Sequence, residues 1–182
     1  MLNQNHLAQK ESSRAKYVPA GTGPAYCGPG DRLTFLMTGA ETGGAFFMAG
    51  VAVAPGGGAP PHVHSREDES FFVQRGTLTF QVGGKELIAS TGDFIHIPRG
   101  TAHSFKNAGE EPAALLMVAT PAGLENFFAE AFIPAADIAD FPQLAEAVIG
   151  RARKAAPKYG LELLLPPASH PEYQSANSLL SH

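Results

Sequence analysis

The chain has 182 residues, 44% of them hydrophobic and 16% charged, and a formal net charge of −4. That length and balance suit one globular domain with appendages and argue against a disordered chain. No Lys/Arg stripe is available to neutralise phosphates and no run approaches the roughly 20 apolar residues of a membrane-spanning helix, so neither nucleic acid nor membrane is an expected partner.

The 20 Gly and 15 Pro point to many turns and hence to many short strands. Residues 1–16 are polar and aperiodic, lack the apolar stretch of a signal peptide, and read as a flexible arm. Cys27 is the single cysteine and has no nucleophile motif around it. It reads as a spectator thiol in a reducing, cytoplasmic setting. Short apolar runs then follow at 33–37 and 45–53, with a turn between them at 39–44. Further runs lie at 71–73, 77–82, 86–89, 94–97, 102–106 and 113–119, and Gly83-Gly84 signals a hairpin with a primed turn. Evenly spaced strands without intervening helices predict an antiparallel sandwich or barrel.

Beyond Thr120-Pro121 the period changes. Leu124, Phe127, Phe128, Ala131 and Phe132 recur at helical spacing, as a stripe that packs on the barrel or on a second subunit. Pro142 opens a second helix running to about residue 156, with Arg151, Arg153 and Lys154 near its negative end. Gly160 is a stop, 161–165 a last strand, and 166–182 a loosely held tail. No internal repeat is present, so one barrel is expected.

The stretch from Pro60 to Glu69 carries the chemistry. His62 and His64 stand at i and i+2, which on a strand places both imidazoles on one face. A carboxylate following a turn can add an oxygen ligand, and His103 lies on a separate strand after the turn 98–101. Mixed nitrogen and oxygen donors suit Mn, Fe, Co, Ni, Cu or Zn and disfavour Ca or Mg. Glu67 and Asp68 read as solvated turn charges, and Arg66, Arg75 and Arg99 as surface or salt-bridge residues. His96 reads as an outward, hydrogen-bonded histidine; His6, His170 and His182 are incidental.

Gly56, His62, His64, Glu69 and Gly76 meet the pattern G(X)5HXH(X)3–4E(X)6G, and Gly92, Pro98, Gly100, His103 and Asn107 meet G(X)5PXG(X)2H(X)3N. In these ten positions, separated by a 15-residue spacer, the chain resembles the cupin superfamily, in its single-domain form similar to quercetin 2,3-dioxygenase-like members. The resemblance implies an all-β jelly-roll barrel over 17–121 with extra N-terminal strands. C-terminal helices and a last strand, 122–165, would pack on it, capping its mouth or joining two subunits. It also implies one divalent transition metal held by His62, His64, Glu69 and His103, with Glu69 doubling as proton acceptor. Asn107 would tie down a turn.

The expected substrate is an aromatic or enolisable small molecule, consumed with O2 by a metal-dependent oxygenase that forms a homodimer. Phe46, Phe47, Met48, Phe71, Phe72, Phe80 and Phe105 are the pool for the cavity lining, about half of them turned away by strand parity. A metal-bearing cupin that binds a small molecule without turnover fits the motifs equally, and a third possibility is an isomerase or lyase using the same metal as a Lewis acid.

Overall fold

The computed structural model describes residues 15–135 and 145–165. Its strands are β1 (Ala25–Cys27), β2 (Asp31–Met37), β3 (Phe47–Val53), β4 (His62–His64), β5 (Asp68–Arg75), β6 (Thr77–Val82), β7 (Lys85–Ser90), β8 (Phe94–Ile97), β9 (His103–Lys106), β10 (Ala113–Thr120), β11 (Ile133–Pro134) and β12 (Leu161–Leu163). One helical turn, α1 (Gly39–Thr42), occupies the turn expected between β2 and β3. Helices α2 (Leu124–Ala131) and α3 (Ala145–Ala155) follow β10, and a 3-10 turn (Ala156–Tyr159) leads into β12.

Two antiparallel sheets face each other, one ordered β11-β1-β2-β3-β10-β5-β8 and the other β12-β4-β9-β6-β7. Strict alternation drives this arrangement. In β3, Phe47, Ala49, Val51 and Val53 are buried while the residues between them are not, and β10 does the same with Ala113, Leu115, Met117 and Ala119. A period of two on adjacent strands makes one apolar face, which the second sheet must cover. Phe71 of the large sheet meets Phe80 and Phe105 of the small one, with ring centroids 5.4 and 5.5 Å apart. The fold is the all-β jelly-roll of the cupins. The β6–β7 hairpin turns through Gly83 and Gly84, whose φ angles of 57° and 80° are those a type I′ turn requires.

The helices are tied to one another by polar contacts. The Glu125 carboxylate accepts the backbone N–H of Gly39 at 2.7 Å and of Gly123 at 2.8 Å, pinning the start of α2 to α1. Arg151 on α3 donates to the carbonyls of Glu130 and Phe132, at the end of α2. β12 then pairs with β4, setting Leu161 opposite His64 and Leu163 opposite His62. The last segment of the described chain is therefore hydrogen-bonded to the strand that carries the HxH pair. Among the described residues no helix is long and apolar enough to cross a membrane. The helix start expected at Pro142, residues 1–14 of the expected arm and the tail at 166–182 lie outside the described residues.

Candidate metal centre

Strand pairing converges four side chains from both sheets. His62 and His64 alternate inward on β4, and His103 on β9 is the register partner of His62. Glu69 comes from the facing sheet, on the inward parity of β5 with Phe71 and Val73. All four are buried, and one ligand atom from each lies within 4.8 Å of every other. His62 Nε2 and His64 Nε2 are 3.1 Å apart; Glu69 Oε2 is 3.0 Å from His103 Nε2 and 3.4 Å from His64 Nε2.

The outer ring nitrogens explain why these inner atoms face one another. His62 Nδ1 donates to the Pro60 carbonyl at 2.7 Å, and His103 Nδ1 donates to the Thr101 carbonyl at 3.0 Å. Because a carbonyl only accepts, Nδ1 carries a proton in both rings, and Nε2 is the atom turned inward, where a metal would replace any proton it holds. His64 Nδ1 stands 3.5 Å from Glu67 Oε2. Three imidazole nitrogens and a carboxylate oxygen thus meet where a cation relieves their mutual repulsion. That donor set fits a divalent transition metal.

Electrostatics of the metal-free cluster fit the same description. Burial, followed by the neighbouring His103, pushes His62 down to about 3, so it is neutral. Burial opposes charge on His64 as well, but Glu67 and Glu69 outweigh it and raise that ring to about 9. Burial would raise the Glu69 carboxyl, yet hydrogen bonds from His103 and His64 hold it below the usual carboxylate range. One proton on His64 therefore occupies the position a cation would take.

A family model described as a cupin domain matches residues 50–119. Residues 50–119 form a cupin domain. It is 42% identical over 74 residues to germin-like protein 5-1 of Oryza sativa subsp. japonica, a match covering 38% of this chain and 34% of that protein. The chain thus spans about a third of the length of the germin-like relatives it matches. Tetracenomycin polyketide synthase protein TcmJ of Streptomyces glaucescens is 23% identical over 118 residues, 65% of this chain and 79% of that protein. Among solved structures, KdgF from Halomonas sp. superposes with a TM-score of 0.56 at 18% identity, over 63% of this chain and 99% of that one, a likeness of fold.

In this cupin the cluster opens on a cavity of about 80 Å³ between the sheets and the C-terminal helices. Phe105 is the one member of the expected aromatic pool on its wall; Phe47, Phe71 and Phe80 are buried elsewhere in the core, and Phe72 is exposed. The other aromatic walls are Phe127, Phe128 and Phe132, so the stripe on and after α2 closes the cavity. Two residues of the site escaped the sequence reading. Glu67, expected as a solvated turn charge, is 3% exposed and faces His64. Its signal was parity: it stands two residues before Glu69, on the same side of an extended chain. Asp31 also lines the cavity, and it continues the inward alternation of Leu33 and Phe35 back by one step.

The remaining residues lie where expected. Asp68 accepts a bidentate pair from the Arg99 guanidinium, both bonds 2.9 Å, and the Arg99 backbone N–H as well. His96 is exposed and bonded to Ser70 Oγ at 2.9 Å. Asn107 donates to the carbonyls of Val53 and Glu111 and accepts the N–H of Gly109, which closes a turn.

Proposed function

We propose that this cupin is a metal-dependent dioxygenase acting on an enolisable, metal-chelating small molecule of aromatic or flavonol type, with His62, His64, Glu69 and His103 as its metal ligands. The observation that carries the reading is Glu69: a buried carboxylate, kept ionised by two histidines and opening on an apolar cavity. A bound divalent ion supplies Lewis-acid charge that favours the enolate of a chelating substrate. Glu69 Oε2 takes the substrate's hydroxyl proton as its O–H bond breaks. The Pro60 and Thr101 carbonyls hold two rings in the tautomer that keeps Nε2 available. Phe105, Phe127 and Phe128 exclude water, so the enolate is not reprotonated from solvent. Closed, the cavity is smaller than the roughly 150 Å³ that accommodates benzene, so a three-ring substrate enters only with α2 and α3 displaced.

The test is anaerobic incubation of protein loaded with Mn, Fe, Co, Ni or Cu with quercetin, and in parallel with the one-ring enol maltol, followed by air. Oxygen uptake with loss of the substrate absorbance supports the reading; no uptake with any metal on either substrate sinks it. Elemental analysis of His62→Ala and His103→Ala should show loss of bound metal, and unchanged stoichiometry in both would refute the ligand set.

A second reading is a metal-dependent isomerase or lyase without O2, for which the same buried set of three imidazoles and a carboxylate would hold the Lewis-acid metal. The same assay under argon separates the two, since that reading requires turnover without oxygen. The protein is further proposed to act as a homodimer.

A further inference from the structure

Asp31 is a carboxyl that the chemistry above leaves unused. It is 6% exposed, it lines the same cavity as His62, His64 and Glu69, and its Oδ1 has no hydrogen-bond partner among the described residues. Its neighbours on the wall are apolar: Leu33, Val51, Phe105 and Phe132. Its seat is built for it, because a Cβ on Gly28 would fall 2.3 Å from Asp31 Oδ1 and 2.3 Å from the Phe132 ring. A buried polar atom without a partner costs on the order of 1–3 kcal/mol, a cost the fold retains here.

Strand register places this carboxyl away from the histidines. Asp31 pairs with Val53, the last residue of β3. Glu69 pairs with Ala119 of β10, which pairs with Phe47, the first residue of β3. The two carboxyls therefore stand at opposite ends of one inner sheet face, with apolar side chains between them.

We propose that Asp31 is a second polar anchor of the cavity, which binds a hydroxyl group on the end of the substrate remote from its metal-chelating head. The substrate class this selects is a narrow, apolar-bodied molecule with a chelating group at one end and an uncharged hydroxyl at the other, which deepens the functional reading above and rests on it. Burial raises the Asp31 carboxyl to about 7, against weaker pulls from the backbone N–H groups of Gly28 and of Asp31 itself. A neutral carboxyl both donates and accepts one hydrogen bond, as a hydroxyl does. An ammonium in the same place would bury two charges in apolar surroundings, and a carboxylate ligand would meet a repelling partner whenever Asp31 ionised.

The test uses full-length protein loaded with Zn and a series of linear alkyl hydroxamates of increasing chain length, each with and without a terminal hydroxyl. At one chain length the hydroxyl should tighten binding about fivefold, the gain of a single neutral hydrogen bond of about 1 kcal/mol. Asp31→Leu should abolish that preference, so that hydroxylated and plain members of each length bind alike, while Asp31→Asn should keep it. Should the Leu variant not fold, infrared difference spectra of the wild type decide. The band of a protonated carboxyl, identified by its loss in Asp31→Asn, should shift with the hydroxylated member and not with the plain one. A preference absent at every chain length, unchanged in Asp31→Leu, or without that infrared shift overturns the anchor and leaves the metal reading standing. If no hydroxamate binds the Zn-loaded protein, both fall.

Discussion

Glu67 turns inward and Asp68 outward because they are consecutive on an extended chain entering β5, and their partners follow from that. Asp68 meets the Arg99 fork at the surface, while Glu67 meets His64 Nδ1 in the interior. Composition and local spacing made both look like turn charges; only knowing where β5 begins separates them. An outer carboxylate facing a ring nitrogen orients the ring and raises its basicity, so Glu67→Ala should weaken metal binding by about 10–100-fold with the fold retained. Competition with a chromophoric chelator measures this, and an unchanged affinity would reduce Glu67 to a bystander. The same ring sets a pH dependence. His64 keeps its proton up to about 9 in the metal-free protein, and a metal must displace that proton. Metal affinity should therefore rise with pH, by about tenfold per unit for one displaced proton, and flatten only as pH passes the raised value. Titrations in buffers of different ionisation enthalpy should show about one proton released per metal near neutral pH.

β12 shows what lies beyond local pattern. Its three residues are apolar enough to read as a strand, and Gly160 before it is a legible stop, with φ 76°. That β12 adds to the edge of β4, beside the two histidines, follows from a return of the chain across almost a hundred residues, which no local period encodes. The junction is tight: Ser65 donates through both its backbone N–H and its hydroxyl to the Gly160 carbonyl, each at 2.8 Å. A Cβ on Gly160 would fall 2.6 Å from Ser65 Oγ and 2.8 Å from the Arg66 side chain. Gly160→Val therefore combines a left-handed backbone position with a clash, and should lower stability by roughly 1–3 kcal/mol. A melt and a metal determination on the same sample test the coupling. If β12 supports β4, the variant loses metal affinity along with melting temperature; a fall in melting temperature alone would make β12 a passive edge. By contrast, the strands flanking the two motifs were legible to within a residue or two. Alternation and glycine turns are local signals, and here the tertiary structure agrees with them.

At the scale of the whole molecule, the four clustered side chains were readable as a set only through their motif spacing, because three come from one sheet and the fourth from the other. The outer surface was readable one strand at a time: parity sends Phe72 and Phe94 outward, but sheet pairing makes them neighbours. Phe94 pairs with Phe72, which pairs with Leu116, and β8 is the edge of the large sheet. Phe94 is 65% and Phe72 42% exposed, a costly arrangement for an edge strand left facing water. A second copy laid on this face would cover both rings by a two-fold operation, each Phe94 packing on its mate's row. Sedimentation equilibrium should give a dimer for the wild type and a monomer for the double variant Phe72→Lys, Phe94→Lys. Metal content should stay the same in both, because these rings lie on the opposite face of β5 and β8 from Glu69. A wild type that sediments as a monomer at all accessible concentrations would rule the dimer out, and a double variant that remains dimeric would move the interface to another face.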